Sequence, residues 1–209
     1  DDLSRGLGDV YKRQQFIFLS CGSIILIDRK LVKLKKGDLI NELTLPSVDG
    51  STFNLESIKG KKAMISFYRY SSCPFCHLRI NEIIGKESEF GDNFVPIAIF
   101  DCDFDDLVKN SKKHDGKIII LCDDDRIYFD KFDVQNSFLR FLVGITIRVD
   151  RFFKALLKGY NPASNISGAF LGIPADILID ENGIVEKAFY GSHTASHIPL
   201  NDVVDFSKS

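Results

Sequence analysis

Apolar and polar positions fall into regular blocks from about residue 34 onward. Ala63–Tyr70 (A-M-I-S-F-Y-R-Y) is apolar or aromatic at nearly every position, the content of a buried strand. From Cys73 to about Gly85, Cys76, Ile80, Ile83 and Ile84 recur at helical spacing. Phe94–Phe100 predicts a second buried strand, Asp103–His114 a polar helix, Lys117–Cys122 a short strand and Ile127–Phe132 a short helix. Asn136–Asn161 is a helical segment rich in Phe and Leu. Asp176–Ile179 and Ile184–Tyr190 flank Glu181-Asn182-Gly183, whose Asn-Gly pair signals a hairpin turn. Leu200–Phe206 predicts a closing helix. Upstream, Thr52–Leu55 reads as a short strand between turns at Val48–Ser51 and Ile58–Lys62. This order predicts an α/β fold, a mixed central sheet flanked by helices.

The chain has 209 residues, enough for one or two domains. Its 27 Lys and Arg against 29 Asp and Glu give a net charge of -2, without the basic excess of nucleic-acid binders. Hydrophobic residues at 44% and charged residues at 27% describe an ordinary globular composition. No apolar run reaches the roughly 18–20 residues a membrane helix requires. Ser4–Gln14 resembles one reading frame of a sequencing-library transposon adapter, so residues 1–14 are set aside. Residues 15–33 read as an uncertain leader or an untranslated segment. Within it, Phe16–Ile27 has the length of a signal-peptide core, and F-L-S-C-G-S around Cys21 resembles a lipoprotein-cleavage box. One folded domain is expected over residues 34–209.

Five cysteines in a chain of this length do not make a disulfide scaffold. Cys73-Pro74-Phe75-Cys76 stands at a predicted strand-to-helix junction. Proline favours the first helical position, which puts Cys73 at the N-cap. There the helix dipole and unpaired N–H groups lower a thiol pKa. Cys76 falls one helical turn on, able to close a disulfide, and Arg69 just upstream adds positive charge. In this position C-x-x-C is a redox signal. Two other readings stay open. C-P-F-C-H over Cys73–His77 also fits a haem-attachment string, and Cys73 and Cys76 with His193 and His197 offer zinc-ligand types. His114, His193 and His197 are otherwise expected on the surface or in loops. Cys102 and Cys122 read as buried core thiols, and Asp123-Asp124-Asp125 as a solvated turn. Ser137–Lys158 is apolar and basic, and reads as an insertion helix packed over the sheet or a membrane- or partner-binding surface.

Four stretches resemble one family: Gly37–Gly50, Ile65–Cys76, Cys122–Val134 and Gly172–Val185. In order and content they are similar to the peroxiredoxin-like branch of the alkyl hydroperoxide reductase/thiol-specific antioxidant (AhpC/TSA) family, among the thioredoxin-fold redoxins. The resemblance implies a thioredoxin-like fold with a helical insertion before a cis-proline hairpin. It implies that Pro174 is that cis-proline, facing the dithiol. It also implies a thiol-dependent peroxide reductase in which Cys73 is oxidised and Cys76 resolves it. Arg69, Pro74 and Pro174 then shape the substrate site.

No metal or organic cofactor is implied. The expected partners are a peroxide or disulfide substrate and a thioredoxin- or glutathione-type reductant, with a homodimer allowed and no nucleic acid or membrane. The location that follows is cytoplasmic, or membrane-anchored if Cys21 is a lipoprotein cysteine. The chain departs from the family pattern seven and three residues before Cys73. The family carries Pro and Thr or Ser there; this chain has Ser66 and Tyr70. With its paired cysteines, it also resembles a thioredoxin or glutaredoxin site, hence the alternative of a protein disulfide reductase. The family's downstream arginine has four candidates: Arg126, Arg140, Arg148 and Arg151.

Overall fold

The computed structural model describes residues 32–114, 116–134 and 172–209. The adapter-like segment, Cys21, the Asn136–Asn161 helix and Arg140, Arg148 and Arg151 lie outside the described residues. The main sheet has five strands in the order β5-β4-β3-β6-β7. They are β3 (Lys62–Tyr68), β4 (Phe94–Phe100), β5 (Ile119–Cys122), β6 (Ala175–Ile179) and β7 (Val185–Tyr190). β3, β4 and β5 are parallel; β6 and β7 run antiparallel to their neighbours. A small antiparallel pair, β1 (Thr44–Pro46) and β2 (Thr52–Asn54), stands apart from it in hydrogen bonding.

β3 is the central strand, hydrogen-bonded on both edges and covered on both faces. That is why its sequence is apolar almost throughout, with no alternation. Its pleat sorts the side chains into two cores. Ala63, Ile65 and Phe67 join Leu43, Leu45, Phe53 and the aromatic residues Tyr128, Phe129 and Phe132. Met64 and Tyr68 face the opposite layer, with Ile80 and Ile83 of α1 (Pro74–Ile84), Leu107 of α2 (Phe104–Ser111) and Val203 of α4 (Leu200–Lys208). No described helix is long and apolar enough to cross a membrane.

Among the described residues the predicted elements are found, with shifts at their ends. The polar helix ends at Ser111 and finishes as a single tighter turn to His114. Asp123 is not a solvated turn residue. It is buried, and its two oxygens accept the backbone N–H groups of Ile127, Tyr128 and Phe129 at 2.8–3.0 Å. It thereby satisfies the orphan donors at the start of α3 (Ile127–Lys131), a demand set by the helix terminus and invisible in an acidic run. Burial raises its pKa, against the opposing pull of those N–H groups.

The Asn-Gly hairpin turn is present and has a second job. Gly183 has φ +81, and a Cβ there would lie 2.8 Å from the Ile40 carbonyl oxygen. The Gly183 carbonyl accepts Ile40 N–H at 2.9 Å, tying the N-terminal segment to the β6–β7 turn. Gly183→Ala is therefore expected to cost at least about 1 kcal/mol of folding stability, from the left-handed conformation and the clash together. A shift of the denaturant midpoint at constant slope checks this; an unchanged midpoint contradicts it.

Candidate active site

β3 ends at Tyr68, and the chain turns through Arg69–Ser72 into α1. This places the turn at the carboxyl end of the parallel strands, where open α/β sheets form their ligand crevices. Cys73 is the N-cap, with φ -63 and ψ 114, and Pro74 opens the helix. The Cys73 carbonyl takes the first helical hydrogen bond, from His77 N–H at 3.1 Å. Its Sγ accepts the Cys76 N–H at 3.4 Å, the role an oxygen plays in an ordinary cap. The Arg69 guanidinium donates to the same sulfur at 3.0 Å.

Cys73 is 0% exposed, so burial pushes its thiol up. The hydrogen bonds and charge from Cys76 and Arg69 outweigh burial and bring it down to about 6. Cys76 moves the other way: burial and the neighbouring Cys73 hold it well above the ordinary thiol value. Two sulfurs one turn apart thus differ in role through their surroundings. Arg69, itself 2% exposed, is drawn down by burial and up more strongly by the sulfurs, so it stays charged. Its guanidinium lies 5.3 Å from the Tyr70 ring centroid. Tyr70 is buried, and burial raises its hydroxyl pKa, keeping it protonated beside Cys73.

Arg69, Cys73, Pro74 and Cys76 all lie at this turn. Pro174 does not match its expectation. The Ile173–Pro174 peptide is trans, as no cis bond occurs among the described residues. The chain runs extended from Pro174 straight into β6, and the Pro174 carbonyl accepts Gly191 N–H at 2.9 Å. The trans bond is the default geometry even before proline. Ser66 is tied to Asp176, its Oγ donating at 2.7 Å. Arg126 pairs with Asp101 and, at 3.3 Å, with Asp130, placing it at the ends of β4 and α3. Cys102 and Cys122 are buried as expected, and the Cys122 thiol donates to the Cys102 carbonyl at 3.0 Å. A hydrogen bond with Cys122 and then burial push the Cys102 thiol far up, which favours its protonated form.

His193 and His197 lie in the loop before α4, as the sequence reading has it, and His114 departs from it. His114 is buried and stacks on His77, with ring centroids 5.1 Å apart and the two ring nitrogens 2.8 Å apart. His77 Nε2 donates to the Ser71 carbonyl at 2.7 Å, since a carbonyl only accepts. Both nitrogens of His77 are thus engaged, which removes it as a haem ligand. Burial and then His114 lower its pKa to about 4. His197 is bonded through Nδ1 to Asp176 Oδ2 at 3.0 Å, and no described cluster of three or more ligand-type side chains is placed to hold a metal. The missed signal was Asp176 itself, a lone acid inside the apolar run Gly172–Ile179.

No curated protein matches the chain. Among solved structures, peroxidoxin BcpB from Mycobacterium tuberculosis superposes with a TM-score of 0.60 at 13% identity, covering 83% of this chain and 96% of that one. A thiol peroxidase from Chromobacterium violaceum gives 0.58 at 15% identity, over 84% and 87% of the two chains. The thioredoxin domain of a thiol-disulfide oxidoreductase from Bacteroides vulgatus gives 0.50 at 17% identity, over 84% and 100%. These likenesses show the fold, which is thioredoxin-like. The family model described as the AhpC/TSA family matches residues 37–188, which carry the β3–α1 dithiol turn and most of the sheet, and the chain belongs to that family.

Proposed function

We propose that the chain reduces peroxides through a Cys73/Cys76 dithiol–disulfide cycle. The observation that carries this reading is the Cys73 sulfur at the N-terminus of α1, 3.0 Å from a buried arginine, with Cys76 one turn away. The Cys73 thiolate attacks one peroxide oxygen and the O–O bond breaks. The departing oxygen leaves with its electron pair and takes up a proton, and Cys73 becomes a sulfenic acid. The Cys76 thiolate then attacks that sulfur, water departs, and the Cys73–Cys76 disulfide closes. A thioredoxin- or glutathione-type thiol returns two electrons and restores the dithiol. No metal or organic cofactor takes part. A reducing compartment such as the cytoplasm supplies such a thiol.

The burial of Cys73 supports a small oxidant, because a 0% exposed sulfur admits a peroxide more readily than a protein disulfide. One observation favours the second reading, disulfide reduction. Tyr70 stands where the family's peroxide-holding hydroxyl is expected, and its ring lies by Arg69. The same cycle serves both readings, with attack on a disulfide giving a mixed disulfide in place of the sulfenic acid.

The reduced protein is expected to consume hydrogen peroxide with a thioredoxin recycling system and to accumulate the Cys73–Cys76 disulfide, read by mass spectrometry. Cys73→Ser is expected to abolish turnover, and Cys76→Ser to stop at a sulfenic acid on Cys73. Slow peroxide turnover with rapid disulfide formation from glutathione disulfide moves the assignment to disulfide reduction. Arg69→Met removes the charge that holds the thiolate, so the peroxide rate at pH 7 is expected to fall by roughly ten-fold or more as Cys73 returns toward the ordinary thiol range. A rate unchanged in that variant contradicts the role given to Arg69.

A further inference from the structure

The turn that carries the thiolate is gripped from outside at Ser71. Ser71 is buried and stands midway between Arg69 and Cys73 in the chain. Its hydroxyl accepts the Asn110 side-chain amide at 3.0 Å, and its carbonyl accepts His77 Nε2–H at 2.7 Å. His77 belongs to α1, directly after Cys76, and its backbone N–H also donates to the Cys73 carbonyl at 3.1 Å. One residue thus holds the turn at two points, one on each side of Ser72. A buried carbonyl needs a donor. Released by His77, the Ser71 carbonyl becomes a rival acceptor for the Arg69 guanidinium, which now donates to the Cys73 sulfur at 3.0 Å.

His77 can hold Ser71 only with a hydrogen on Nε2, because a carbonyl cannot donate. A neutral imidazole then presents a lone pair at Nδ1. That nitrogen lies 2.8 Å from Nε2 of His114, so His114 is the donor between them. His114 comes from the tight turn Lys112–His114 that follows α2, and it is buried. The two rings stack with an interplanar angle of 19°, and Phe100 of β4 flanks His77 with ring centroids 6.4 Å apart. Burial and then His114 lower the His77 pKa to about 4, with a smaller push from Lys113 against the pull of the Ser71 carbonyl. His77 is therefore neutral at neutral pH, and its neighbours on either side fix which nitrogen bears the hydrogen.

We propose that His77 is a positioning residue for the Cys73 thiolate, and that His114 selects the His77 tautomer this requires. The pair keeps the Ser71 carbonyl engaged and leaves the Arg69 guanidinium to the Cys73 sulfur. This rests on the Cys73 thiolate of the cycle proposed above. Neither histidine exchanges a proton with a sulfur in this role.

The test is an ultraviolet thiolate titration of the reduced full chain, with the Cys73→Ser signal subtracted and folding checked by circular dichroism. His114→Phe keeps a flat ring for the stack and removes the donor. It is expected to raise the Cys73 midpoint from near 6 by about one unit, a ten-fold shift of the thiolate equilibrium. His77→Phe is expected to raise it at least as far. His77→Gln keeps an N–H for Ser71 and an acceptor for His114, and is expected to hold the wild-type midpoint. In an Arg69→Met background, His114→Phe is expected to add no further shift, because the pair acts through Arg69. A merely structural role would give the same shift in both backgrounds. Three results overturn the proposal: a wild-type midpoint in folded His114→Phe, an equal shift with and without Arg69, or a His77→Gln midpoint as high as that of His77→Phe. A midpoint of the unmutated protein in the ordinary thiol range would instead overturn the thiolate on which it rests.

Discussion

A buried guanidinium beside a buried sulfur sets the terms for the rest of the molecule. Charges are seldom taken out of water unless they are paired. Arg69 and Cys73 are each almost wholly enclosed, and each makes the other's charge tolerable. Neither would hold that state alone: removing one partner of a buried pair leaves the other stranded, typically at a cost of about 3–5 kcal/mol. The pairing works only if Cys73 also sits at the first turn of α1, where a peptide N–H adds a further hydrogen bond to the sulfur. Pro74 fixes that position by starting the helix at the next residue.

The sheet supplies the rigidity that this arrangement needs. β3 is the central strand and ends at the dithiol turn, so the turn inherits a fixed anchor on one side and a helix on the other. The turn is also braced from α2, through Asn110 to the Ser71 hydroxyl at 3.0 Å and through the His77–His114 stack. On the far side, Asp176 and Arg79 bind the two backbone groups of Ile198 from opposite elements. The dithiol is thus held in a ring of polar contacts laid over an apolar core. A thiol pair whose two members must titrate far apart requires such fixed surroundings, because the difference between them comes from distances of a few ångströms.

Local features of the site were legible in the sequence. The strand Ala63–Tyr70, the helix after it, the N-cap placement of Cys73 and the Asn-Gly turn each depend on neighbours within a few residues. Hydrophobic period and capping chemistry therefore suffice to read them. Features that depend on residues far apart were not legible. His197 lies 21 positions from Asp176, and His114 lies 37 from His77; nothing in either neighbourhood marks the histidine as buried. Asp123 looked solvated because it opens an acidic run, yet one carboxylate in that run faces inward to cap α3. Pro174 was expected to be cis through family resemblance alone, and its peptide bond is trans.

The proposed dithiol cycle requires Cys73 to be a thiolate near neutral pH while Cys76 is not. The direct measurement is the ultraviolet thiolate absorbance of the reduced protein across a pH titration, in the wild type and in Cys73→Ser. The expected result is one thiolate per chain appearing with a midpoint near 6 and disappearing as the pH falls below it, absent in Cys73→Ser and retained in Cys76→Ser. A first midpoint in the ordinary thiol range, or one that survives the loss of Cys73, would contradict the central claim.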